Sequence, residues 1–87
     1  MISPNELQQM IQTGFPDAEI QVQDLTGGGD HYQVTVISAA FTGKSLVQQH
    51  RLVYGIVNEA MATDKIHAFA LKTYTPEKWA ELAIAAS

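Results

Sequence analysis

Three histidines, His31, His50 and His67, are the residues best suited to chemistry in this chain. Each could serve as a metal ligand, a general base or a polar filler. His67 sits next to Ile66 and in alternation with Phe69 and Leu71, so its bland reading is a half-buried strand residue hydrogen-bonded to backbone. His31 follows Gly27-Gly28-Gly29-Asp30, and those glycines allow it to be presented on a mobile arm. Its bland reading is an exposed loop residue. His50 lies beside Arg51 early in a long helical segment and reads as a helix-surface or core-edge residue. Two histidines are too few for a closed zinc site, which takes four ligands. They suffice to complete a site whose other ligands belong to another molecule. Imidazole suits iron as well as zinc, and two histidines can replace two thiolates on one iron of a [2Fe–2S] centre. The chain has no cysteine, so any iron–sulfur role must borrow its thiolates.

Catalytic patterns fail one after another. There is no serine elbow of the G-x-S-x-G type and no cysteine nucleophile. Gly43-Lys44-Ser45 looks like the end of a phosphate-binding loop, but the first glycine of that motif would fall at Ser38. The Gly27–Gly29 run joins two strands, not a strand and a helix, which makes it a poor dinucleotide cradle. The carboxylates are scattered and show no acid–base pair. These absences point to a chain that acts by binding and is not an enzyme.

The elements that must position the histidines follow from local patterns. Ser3 is an N-cap, Pro4 suits the first helical position, and Glu6 completes a capping box. Ile2 and Leu7 are spaced as a hydrophobic staple. Leu7, Met10 and Ile11 form an apolar stripe, and Gly14 and Pro16 end the helix. From Ala18 to Leu25, apolar Ala18, Ile20 and Val22 alternate with Glu19, Gln21 and Gln23, which predicts a half-buried strand. Tyr32, Val34 and Val36 alternate in a second strand, antiparallel to the first. The segment after Phe41-Thr42-Gly43-Lys44-Ser45 carries Leu46, Val53, Val57 and Met61 near one helical face, flanked by Leu52, Ile56 and Ala60. It is expected to be the main core helix, with Gly55 marking close packing on the sheet. A third strand spans Ile66 to Tyr74. Thr75-Pro76-Glu77 then repeats the opening cap, with Tyr74 and Trp79 as its staple. Trp79, Leu82 and Ala83 give the last helix its apolar side.

The predicted fold is therefore α+β: one domain over residues 1–87, in the order α-β-β-α-β-α. A helix joins the second and third strands, so they should run parallel in a mixed three-stranded sheet with helices packed on it.

Composition narrows the partners. Hydrophobic residues make up 46% of the 87-residue chain and charged residues 16%, with a net charge of −4. Residues 1–43 hold no Lys or Arg and five acids: Glu6, Asp17, Glu19, Asp24 and Asp30. All five bases lie beyond: Lys44, Arg51, Lys65, Lys72 and Lys78. A globally basic face for nucleic acid is missing, although a local patch in the second half stays open. No apolar run is long enough to span a bilayer. Met1 leads almost directly into a capped helix and not into a secretory leader, so the expected location is the cytoplasm, with no membrane partner.

Several ordered segments together resemble the BolA-like family. They are Val36-Ile37-Ser38 leading to Phe41-Thr42-Gly43-Lys44-Ser45-Leu46, Gln49-His50-Arg51-Leu52-Val53-Tyr54, Ile66-His67-Ala68-Phe69-Ala70-Leu71-Lys72, and Thr75-Pro76-Glu77-Lys78-Trp79. The resemblance covers nearly the whole chain. It departs at Gln49, where the family usually has Arg in an Arg-His-Arg run. It implies a fold related to the type II KH arrangement, in agreement with the element order. It also implies a heterodimer with a monothiol glutaredoxin that shares a [2Fe–2S] cluster. Sulfur ligands would come from the partner's cysteine and from glutathione, and histidine ligands from His67 and His31. The isolated chain, as a monomer or weak homodimer, would hold no cofactor. The role implied is iron–sulfur cluster trafficking or iron regulation. Histidine ligands bind iron in the neutral form, so cluster capture should weaken as pH falls through the range in which they protonate.

The alternative is a KH-like, DNA-binding transcription regulator, in which Lys44 and Arg51, with Lys65 or Lys72, would line one face. The second glycine of the KH hallmark GXXG is missing from Gly43-Lys44-Ser45-Leu46. A third reading is an interaction module without metal, whose glutaredoxin binding would be indifferent to His67 and His31.

Overall fold

The computed structural model describes residues 3–25, 31–62 and 68–86. Helix α1 spans Pro4–Gly14. The Ser3 hydroxyl accepts the Glu6 amide N–H at 3.1 Å, as the capping pattern requires. Leu7 and Ile11 are fully buried. The staple residue Ile2 lies outside the described residues. Past the helix, the Gln12 side-chain amide faces the carbonyl oxygens of Phe15 and Ala18, each at 3.0 Å, and so ties down the turn into the sheet.

Strands β1 (Glu19–Asp24), β2 (His31–Ile37) and β3 (Ala68–Tyr74) form one sheet in the order β1-β2-β3. β1 pairs antiparallel with β2, and β2 pairs parallel with β3. One face carries Ile20, Tyr32, Val34 and Val36 into the core. Helix α2 (Leu46–Ala62) adds Val53 and Val57, both fully buried. Phe41 closes this core from a 3₁₀ turn over Ala39–Phe41, its ring 5.2 Å from that of Phe15. Gly43 takes φ +77°, a left-handed conformation that favours glycine, and turns the chain into α2. Helix α3 (Pro76–Ala86) follows β3. The order is thus α-β-β-α-β-α, as the sequence predicts. Among the described residues, no helix is long and apolar enough to cross a membrane.

Three sequence expectations need correction. Leu46 was expected on the core face of α2, but it is 60% exposed. It occupies the first turn of the helix, beside β3, where no further strand among the described residues covers it. Gly55 was expected to mark close packing, yet a Cβ there would meet open space. The close approach is at Gly14, where a Cβ would run into the Ile56 side chain. Helix α3 is held mainly by its first turns. Trp79 packs on Tyr74 at a ring distance of 5.2 Å, while Leu82 and Ala83 are exposed.

Candidate functional site

His31 opens β2 and is exposed. The parallel register sets it opposite Ala68, the first residue of β3. His67 lies outside the described residues, and in sequence it directly precedes Ala68. Parallel strands begin at the same end of a sheet. The backbone therefore brings the His31 end of β2 level with the residue that follows His67. His31 comes free of the core for a simple reason. It stands at the first position of the strand, on the face opposite Tyr32, Val34 and Val36; further along that face Thr35 and Ile37 are buried, so the strand's end is what exposes it.

A single exposed imidazole can supply one neutral nitrogen to iron. Among the described residues, no group of three or more His, Asp or Glu side chains could hold a metal ion. That donor chemistry fits an iron site whose remaining ligands come from elsewhere.

His50 is elsewhere. It is half-buried on α2, with its ring edge toward Tyr54 and the centroids 6.3 Å apart. It lines a groove with Leu46 and Leu71–Tyr74. That is the core-edge position expected of it.

The described basic residues sit on different elements. Lys44 is exposed just before α2, and Arg51 is exposed on the helix itself. Thr73 points at α2, because its hydroxyl donates to Gln49 at 2.7 Å. Its neighbour Lys72 therefore leaves β3 on the opposite face of the sheet. Lys65 lies outside the described residues.

Two polar clusters escaped the sequence reading. Asp17, in the turn before β1, accepts the Ser38 hydroxyl with both carboxylate oxygens, at 3.0 and 3.1 Å, and the Ala39 amide N–H at 3.0 Å. These bonds, that from Ala39 foremost, hold its carboxyl below the usual carboxylate range. Gln49 bridges three segments. Besides accepting from Thr73, its amide donates to the Lys44 carbonyl at 2.9 Å and reaches that of Phe41 at 3.5 Å. The partners lie 21 and 24 residues apart, so no local pattern announces either cluster. A third omission had a local signature. Ser45 and Gln48 form a reciprocal capping box at the start of α2.

The family model for BolA-like proteins matches residues 9–78. This chain belongs to the BolA-like family. It is 37% identical over 76 residues to the acid stress protein IbaG of Escherichia coli (strain K12), covering 87% of each chain. It is 28% identical over 86 residues to the DNA-binding transcriptional regulator BolA of the same organism, covering 91% of this chain and 81% of that one. The solved structure of a bolA protein homologue from Coxiella burnetii matches with a TM-score of 0.77 at 32% identity, over 92% of this chain and 99% of that one. These similarities span the sheet and helices of this BolA-like protein, including the His31 strand and the α2–β3 groove.

Proposed function

We propose that this BolA-like protein is a non-enzymatic, cytoplasmic partner of a monothiol glutaredoxin. In this reading it contributes His67 and His31 to a shared [2Fe–2S] cluster, in cluster trafficking or iron regulation. The observation that supports the reading is the β2–β3 register, with His31 opposite the residue that follows His67. A cluster held there would take its sulfur ligands from the partner's cysteine and from glutathione. This chain's part is to present neutral nitrogens from one end of a rigid sheet.

The test is the visible absorption and circular dichroism of the chain co-expressed with a monothiol glutaredoxin in the presence of glutathione. The expected result is a coloured heterodimer, distinct from the glutaredoxin alone and lost in His67→Ala. A spectrum indifferent to His67→Ala and His31→Ala would leave only a metal-free interaction module.

The second reading, DNA binding, is favoured by the 28% identity to a DNA-binding transcriptional regulator. It would use Lys44 and Arg51, with Lys65 or Lys72. The net charge of −4 opposes it, because phosphate neutralisation supplies most non-specific affinity. Titration against duplex DNA at two salt concentrations separates the readings, and no binding at low salt removes this one.

A further inference from the structure

β3 ends the sheet, and its outer side borders an unfilled groove. The groove, about 260 Å³, is lined by Leu46 and His50 of α2 and by residues 71–74 of β3. A neighbouring depression shares Leu46, Thr73 and Tyr74 and extends to Lys78. Leu46 and Val47 are each 60% exposed, which the fold itself does not require.

Backbone direction along β3 follows from one bond. The Tyr74 carbonyl accepts the Ser38 amide N–H at 3.0 Å, so Tyr74 turns its backbone groups toward β2. A strand residue points its N–H and C=O to the same side, and its neighbour points them to the other. Leu71 and Thr73 therefore turn theirs outward, away from β2 and along the groove. An open edge of this kind is a template for an added strand.

Side-chain direction specifies what that strand should carry. Residues paired across a ladder share a face. A residue set opposite Leu71 or Thr73 would face α2 and meet Leu46, an apolar environment. A residue set opposite Lys72 would face the other side and meet its ammonium group. Among the described residues, Lys72 has no carboxylate within ion-pair distance; the one such pair is Lys78–Glu81 at 3.8 Å.

We propose that β3 accepts an extended peptide of a partner protein as a fourth strand. The peptide alternates apolar residues, seated against Leu46 and Leu71, with acidic residues facing Lys72. A second copy of this chain fits less well. Symmetric pairing of β3 centred on Lys72 would set two Lys72 side chains opposite each other, and pairing with β1 would be head-to-tail, which closes only for particular rotations. The groove begins roughly 10 Å along β3 from the level of His31, at about 3.3 Å per residue. It thus goes beyond the cluster reading and does not depend on it.

The test uses the metal-free full chain and a fluorescein-labelled nine-residue peptide alternating Val and Glu. Its companions are the same peptide N-methylated at alternate residues and a single-stranded DNA oligonucleotide. The expected result is saturable binding of the first peptide only, with hydrogen exchange at the Leu71 and Thr73 amides slowed. Lys72→Glu and Leu46→Asp, both at exposed positions, should each weaken binding by about tenfold. The proposal is overturned by an absence of saturable binding, by unchanged exchange at Leu71 and Thr73, or by equal binding of the N-methylated peptide. It is also overturned by equal binding of the oligonucleotide, which would mark a patch for polyanions. Protection of β3 that rises with protein concentration alone would assign the edge to a second copy. Because no metal is present, none of these outcomes bears on the histidines.

Discussion

The Gln49 side chain joins α2 to β3 by accepting the Thr73 hydroxyl at 2.7 Å, while its amide holds the Lys44 carbonyl at 2.9 Å. One residue thereby sets the start of α2 against the outer strand and lines the depression beside the groove. Gln49→Ala leaves the buried Thr73 hydroxyl without this partner and should cost about 1–3 kcal/mol. Thr73→Val in the same background should cost less than it does alone, because the two side chains are coupled. Urea denaturation of the four proteins of the cycle checks both statements, and additive losses would refute the coupling.

Asp17 makes stability depend on pH. Bonds from Ala39 and Ser38 depress its folded-state pKa, so its contribution is fully present above the unfolded-chain value of about 4. It is lost as pH falls through the lower folded value. Asp17→Ala should therefore melt below the parent at pH 7, and the two melting curves should converge under strong acid. Thermal melts across that range are the measurement, and a gap that persists unchanged at the lowest pH would contradict the assignment.

Gly55→Ala should stabilise the chain. The site is an exposed helix interior where a Cβ meets nothing within 4 Å. Alanine is better than glycine there by about 1 kcal/mol. For a domain of this size that is a rise of about 4–8 °C in melting temperature. Calorimetry of the single variant decides it.

Phe41 should be among the most costly residues to truncate. It is fully buried and packs on Phe15 with ring centroids 5.2 Å apart. Phe41→Ala should lose about 3–5 kcal/mol. A chain of 87 residues has a total stability of about 4–13 kcal/mol. The variant is therefore expected to be marginally folded at room temperature, with weakened near-ultraviolet circular dichroism. Retention of a cooperative transition near the parent's midpoint would show that the core refills the cavity.

The element order was legible in the sequence because its markers are local. The caps at Ser3 and Thr75 and the alternation of Ile20-Val22 and Tyr32-Val34-Val36 act within a few residues, and the structure repeats them. The histidines were legible as residue types, and ordered segments around them carried the family likeness. The level of His31 relative to Ala68 was not legible, because register is a property of two strands at once. The same holds for Asp17 with Ser38 and for Gln49 with Thr73. Leu46 matched the apolar period of α2, yet period alone does not say how far a sheet extends beneath a helix. Gly14 was legible as a helix stop and Gly55 as a mark of close packing, yet it is Gly14 that meets a neighbour. Which of them meets a neighbour depends on where α1 and α2 cross, and only the assembled core decides that. What the chain determined by itself is which segments form helices and strands, since those choices rest on short-range sterics and hydrogen bonds. What tertiary structure decided is which distant groups meet and which edge stays open, since both follow from how the layers stack and where the last strand ends.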